Sequence, residues 1–108
     1  MGFPEYIFVV AATVDPAVEE EWNDWYNNVH LPEITACPGF RRSARYVHEE
    51  GDVRNYLTIY EISGKEALEG VQFSTRRGWG RFTSQVKATV RVYRRLSLRE
   101  GSDAQRKR

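Results

Sequence analysis

The chain has one cysteine and two histidines in 108 residues, and both scarcities are restrictive. Cys37 has no partner for an internal disulfide, so a reducing, cytoplasmic setting is expected. There is no CxxC, no HExxH and no cluster of histidines with carboxylates, so neither a metal site nor a cofactor is expected. Neither GxxxxGK[ST] nor GxGxxG occurs, which removes the common phosphate loops. An excess of one charge is also missing. Sixteen basic and fifteen acidic residues leave a net charge of +1, too little to draw nucleic acid or an anionic membrane to the whole surface. The apolar run Ile7 to Ala12 is too short to span a bilayer and follows Glu5 rather than a basic stretch. No nucleic-acid partner and no membrane partner are expected.

The length suits one domain. Residues 1–97 carry the pattern of a folded unit, and the end, "REGSDAQRKR", offers little to anchor it. A flexible basic tail is expected over 98–108.

Tyr6 to Thr13, "YIFVVAAT", is β-branched, aromatic and apolar at both parities, the mark of a central strand covered on both faces. In "VDPAVEEEW", Asp15 suits a cap, Pro16 a first helical position, and three glutamates suit the positive end of the dipole. A helix is expected to about Val29, ended by Pro32. Its stripe would be Val18, Trp22, Trp25, Tyr26 and Val29, with His30 at the edge. "CPGF" reads as a turn, Phe40 to His48 as a strand and "EEGDVRN" as a hairpin connection. "YLTIYEI" alternates, with Tyr56, Thr58, Tyr60 and Ile62 on one face. A helical segment is expected from about Lys65, interrupted near "RRGWG", and Val86 to Leu96 closes the pattern as a strand.

The order β-α-β-β-α-β predicts an α+β, ferredoxin-like protomer: a four-stranded antiparallel sheet with two helices on one face. Tyr56, Tyr60 and Tyr93 are expected on the uncovered face. That face is too aromatic to leave in water, so a second copy packed on it, a homodimer, is expected.

"WNDWYNNVHLPEI", "PGFRRSARY" and "YLTIYEI" together resemble the dimeric α/β-barrel superfamily, and most of all its EthD-like and stress-responsive small members. There a helix ending in W-Y-x-x-x-H-x-P precedes P-G-F and a strand. The likeness covers roughly residues 5 to 96. It implies protomers whose sheets pair into a barrel, with a cavity between sheet and helices in each. Activities in the superfamily include polyketide cyclisation, lactone isomerisation, cofactor-free quinone-forming oxygenation, haem degradation and aldoxime dehydration. Fold alone does not choose among them.

His30 is the histidine with a telling position. At a helix C-terminus the dipole would favour imidazolium, and a group titrating near neutrality is the usual general acid or base; capping the helix is the alternative. Tyr26, one turn earlier, is placed to donate to a carbonyl or enolate oxygen, or to serve as a core tyrosine. Trp22, Trp25, Tyr60 and Trp79 are candidates for an apolar wall. Arg45 would bind a substrate carboxylate or phenolate, or pair with Glu61. His48 reads as solvated.

The expectation is a small cofactor-independent acid/base enzyme, of cyclase, isomerase, lyase or oxygenase type, acting on an aromatic, lactone or polyketide-like carbonyl compound. His30 and Tyr26 would be catalytic, with Trp22, Trp25, Arg45, Tyr60 and Trp79 binding substrate. The alternatives are a non-catalytic dimer holding a hydrophobic ligand and a haem-binding or haem-degrading protein with His30 as axial ligand.

Overall fold

The computed structural model describes residues 2–97, and the expected basic tail lies outside them. Four strands form one antiparallel sheet: β1 (Tyr6–Val14), β2 (Phe40–Glu50), β3 (Val53–Ile62) and β4 (Val86–Arg94), in the order β2-β3-β1-β4. The helical segments α1 (Glu19–Trp25), α2 (Leu31–Thr35) and α3 (Val71–Arg76) follow β1 and β3. With the helices on one face of the sheet, this is the ferredoxin-like arrangement.

The strand register decides which side chains meet the helices. Phe8 lies opposite Tyr60 and Val92, Val10 opposite Thr58 and Val90, and Ala12 opposite Tyr56 and Ala88. Phe8, Val10, Ala12, Thr58 and Tyr60 are buried beneath the helices. Tyr56 and Tyr60 therefore belong to the covered face, and only Tyr93 stays on the open one. The alternation in "YLTIYEI" was sound, but β1 is apolar at both parities, so the sequence left open which set faces inward. Ile7, Val9, Leu57 and Ile59 are half-buried on the open face, where Tyr46 and Tyr93 are exposed. Within one chain β1 is thus covered on one face, not on both.

The first helix runs further than expected. Asp15 caps a 3₁₀ turn (Pro16–Val18) by accepting from the Ala17 N–H at 2.9 Å. α1 then passes into a π-helical turn (Tyr26–His30) and on into α2 without leaving helical dihedrals. Pro32 sits within the first turn of α2 rather than beyond the helix. A proline ring collides with the carbonyl four residues back and offers it no N–H. The π turn, with the Leu31 N–H bonded to the Tyr26 carbonyl, opens the helix where that collision would fall. It also changes the buried stripe. Val29, expected to face inward, is 48% exposed, while His30, expected at the edge, is 5% exposed.

The second helical region is three short pieces, a 3₁₀ turn (Lys65–Glu69), α3 and another 3₁₀ turn (Gly80–Gln85). The β2–β3 hairpin is tighter than expected, because Glu49 opposite Arg54 and Glu50 opposite Val53 extend the ladder to Gly51 and Asp52. In "CPGF" the chain turns at Gly39 with φ 87°, and a Cβ there would stand 2.7 Å from the Ala67 Cβ. Only glycine fits both conditions.

Two apolar clusters fill the space between sheet and helices. One gathers around Phe8, Phe40, Tyr60, Ile34 and Phe73. The other holds Trp22, Tyr26, Ala12 and Phe82. Trp79 packs against both, and the site lies at this junction.

Candidate functional site

A cavity of about 180 Å³ opens where the two clusters meet. Apolar side chains from β1, α2, the 3₁₀ turn Lys65–Glu69, α3 and β4 form most of its wall: Phe8, Val10, Ile34, Leu68, Phe73 and Val90. Tyr26, His30, Tyr60, Trp79 and Arg77 supply the polar atoms and the aromatic edges.

His30 reaches this wall from the π turn. Its ring stacks on Trp25 with centroids 4.7 Å apart and planes at 12°. Tyr26 meets it edge-on at 5.3 Å and Trp79 lies at 5.7 Å. Nδ1 stands 3.3 Å from Glu33 Oε1, three residues on. Burial lowers the pKa of His30 below the ordinary histidine value, and Glu33 offsets part of that effect. The ring is therefore neutral at neutral pH. This corrects the argument from the helix dipole, because the helix continues to Thr35 and His30 does not stand at its end. A neutral imidazole donating through Nδ1 to Glu33 keeps its Nε2 lone pair free.

Tyr26 is fully buried, and its hydroxyl accepts from Thr58 Oγ1 at 2.8 Å. A phenol oxygen has two acceptor positions and one proton. With Thr58 on the acceptor side, the Tyr26 proton is left for another partner. Burial pushes the pKa of both tyrosines up, so both stay protonated at neutral pH. Tyr60 stacks on Phe8 at 5.8 Å in the cavity wall.

The other expected residues divide. Trp79, held between Gly78 (φ 102°) and Gly80 (φ 54°), lines the cavity and touches Trp22, Tyr26 and His30. Trp25 supports His30 from behind and is not in the wall. Trp22 is wholly buried and also outside the wall, packed on Tyr26 and Tyr56 at 5.4 and 5.1 Å. Its Nε1 has no hydrogen-bond partner among the described residues. Burying roughly 200 Å² of indole at about 25 cal/mol per Å² contributes on the order of 5 kcal/mol. An unmade hydrogen bond costs about 1–3 kcal/mol, so packing wins at Trp22.

Arg45 does not enter the cavity wall. Its guanidinium lies 4.1 Å from the Tyr26 ring centroid and donates to Asn27 Oδ1 and Asn23 Oδ1, each at 2.8 Å. It does not pair with Glu61, which Arg42 and Arg41 hold at 2.6 and 3.5 Å. The register explains this: Arg45 lies opposite Thr58 on the helix face, and Arg42 lies opposite Glu61 on the open one. His48 is exposed, 3.5 Å from Glu50. Glu33, Thr58 and Arg77 were not assigned to the site from the sequence. Glu33 was visible as the fourth residue of "HLPE", where i and i+3 side chains adjoin on a helix. Thr58 gave no such signal.

Among the described residues no group of three or more His, Cys, Asp or Glu side chains gathers as metal ligands do. No helix among them is long and apolar enough to cross a membrane.

Solved structures with this fold are similar over most of their length. An EthD-family protein from Bacillus halodurans is 13% identical with a TM-score of 0.61, covering 84% of this chain and 99% of its own. SnoaB from Streptomyces nogalater, a cofactor-independent oxygenase, is 17% identical with a TM-score of 0.62, covering 87% and 97%. A dimeric ferredoxin-like protein from an uncultured marine organism is 15% identical with a TM-score of 0.62, covering 85% and 94%. The resemblance to the dimeric α/β-barrel superfamily thus holds at the level of the fold. No curated protein matches the chain significantly. A family model, described as a domain of unknown function (DUF4286), matches residues 5–91, and the chain belongs to that family.

Proposed function

We propose that the protein is a small cofactor-independent acid/base enzyme acting on a single-ring aromatic or cyclic carbonyl compound. The observation that carries the reading is His30 in the wall of an apolar cavity, neutral, with Nδ1 turned to Glu33. Nε2 takes a proton from the carbon next to the substrate carbonyl, and the resulting imidazolium is stabilised by Glu33. Tyr26, accepting from Thr58, donates to the enolate oxygen. Arg45 acts on Tyr26 from outside the wall, and Trp25 and Trp79 hold the imidazole between rings. The apolar lining keeps water from competing for the developing charge. The likeness to a cofactor-independent oxygenase and to an EthD-family protein is in keeping with such a site.

The non-catalytic alternative keeps the cavity and dispenses with the proton transfer. Acetophenone and cyclohexanone in D₂O, followed by NMR, separate the two. The native protein is expected to speed exchange of the α-protons, and His30→Gln to lose about 100-fold or more of that rate, the low end for a general base. Binding without exchange would favour the ligand-holding role.

The active form is proposed to be a homodimer joined through the open sheet face. Half-buried Ile7, Val9, Leu57 and Ile59, with exposed Tyr46 and Tyr93, support it, as does the likeness to a dimeric ferredoxin-like protein. The unpaired Cys37 supports a cytoplasmic setting.

A further inference from the structure

We infer that the cavity takes a single-ring carboxylic acid and that Arg77 receives its carboxylate at the mouth. The inference rests on reading the cavity as a binding site and names the class of compound it selects.

Arg77 is the first residue past α3. Its N–H donates to the Phe73 carbonyl at 2.9 Å, which fixes where the side chain starts. The guanidinium lies 5.9 Å from the ring of Phe73, itself part of the wall. Arg77 is exposed while His30, Tyr26 and Tyr60 are buried, so the cation marks the outer end of the cavity and the acid/base groups the inner end. With His30 neutral and both tyrosines protonated, Arg77 is the charged side chain of the wall. Arg41, Arg42, Arg54 and Arg81 each have a glutamate within ion-pair distance. Among the described residues, no carboxylate stands within that distance of Arg77.

Size and charge then select the ligand together. An apolar cavity of about 150 Å³ holds one benzene ring, so about 180 Å³ holds a ring and a small substituent. A carboxylate drawn into the apolar interior would lose its hydration without return. At the mouth it stays partly hydrated and meets a planar donor fork suited to it. The acid group outward and the ring inward present the far side of the ring to His30 and Tyr26.

Benzoate and benzamide, alike in shape and different in charge, test this. Affinities come from quenching of tryptophan fluorescence, with Trp79 in the wall, and from calorimetry. The native protein is expected to bind benzoate about tenfold more tightly than benzamide, a preference of about 1.4 kcal/mol. Arg77→Gln should abolish the preference while leaving benzamide affinity within about twofold, and Arg77→Lys should keep part of it. Equal binding of the two compounds by the native protein would overturn the inference, as would a preference that survives Arg77→Gln. In both cases the cavity would remain a binding site and the acid/base reading would stand. Failure of both compounds to bind would remove the cavity as a site, and both readings with it.

Discussion

His30 and Glu33 occupy i and i+3 positions of one continuous helix, and their chemistry follows from unequal burial. The imidazole is 6% exposed and the carboxylate 38%. Burial removes the water that would stabilise imidazolium, and one half-exposed carboxylate returns only part of that. The folded-state pKa is thus below the unfolded one, and this makes stability depend on pH in a definite direction. Above the ordinary value of about 6.5 both states hold neutral imidazole and His30 adds no dependence. As pH falls below it, the unfolded chain takes the proton first and folding weakens, until the folded protein is protonated too. Urea titrations of the native protein should show stability falling over this window. His30→Gln should flatten that part of the curve, whereas an unchanged slope would place the lowered pKa elsewhere. Glutamine is the right replacement, because alanine would leave a hole against Trp25 and cost about 2 kcal/mol or more.

At the scale of elements, the π turn and the glycine-dependent turn at Gly39 bring distant residues to one place. The π turn moves His30 into the stripe with Tyr26 and Ile34. The turn at Gly39 brings β2 back under α2, and the close approach of Ala67 ties it to the start of the second helical region. Gly39→Ala should therefore destabilise the fold by about 2 kcal/mol or more, through positive φ and overlap with Ala67 together. Gly51→Ala, with φ 60° and nothing within 4 Å, should cost only about 1 kcal/mol. Thermal denaturation of the pair checks both, and equal losses would contradict the packing account. The strand pattern, the Asp15–Pro16 start and the interruption near "RRGWG" were legible because each rests on local rules of periodicity and turn chemistry. The extension past Pro32 was not, since it depends on a π turn that no local preference announces. The facing of Tyr56 and Tyr60 was not either, since β1 offers two apolar parities and only its pairing chooses. At the site, His30, Tyr26, Tyr60 and Trp79 were readable as polar or aromatic residues at telling positions. The Arg45–Tyr26 stack and the Thr58 bond needed the register of β2 on β3.

For the molecule as a whole, the two faces of the sheet divide the work. One, under the helices, encloses the cavity. The other carries apolar side chains within reach of solvent, a feature that marks association surfaces. Ile59 lies at the middle of β3 on that face, opposite Val9 and Ala44. Sedimentation is expected to give a dimer for the native chain and a monomer for Ile59→Lys, since a buried unpaired ammonium at the joint is costly. A native monomer, or a variant that still dimerises, would move the interface elsewhere. The covered face carries the central claim, that a neutral His30 moves a proton inside the cavity. The measurement that meets it most directly is the α-proton exchange rate of acetophenone from about pH 5 to about pH 8, native protein against His30→Gln. The prediction is a native rate that rises with pH and levels off below the ordinary histidine range, and a variant rate lower by about 100-fold or more throughout the plateau. Equal rates in the two proteins, or a native rate still climbing above neutrality, would contradict it.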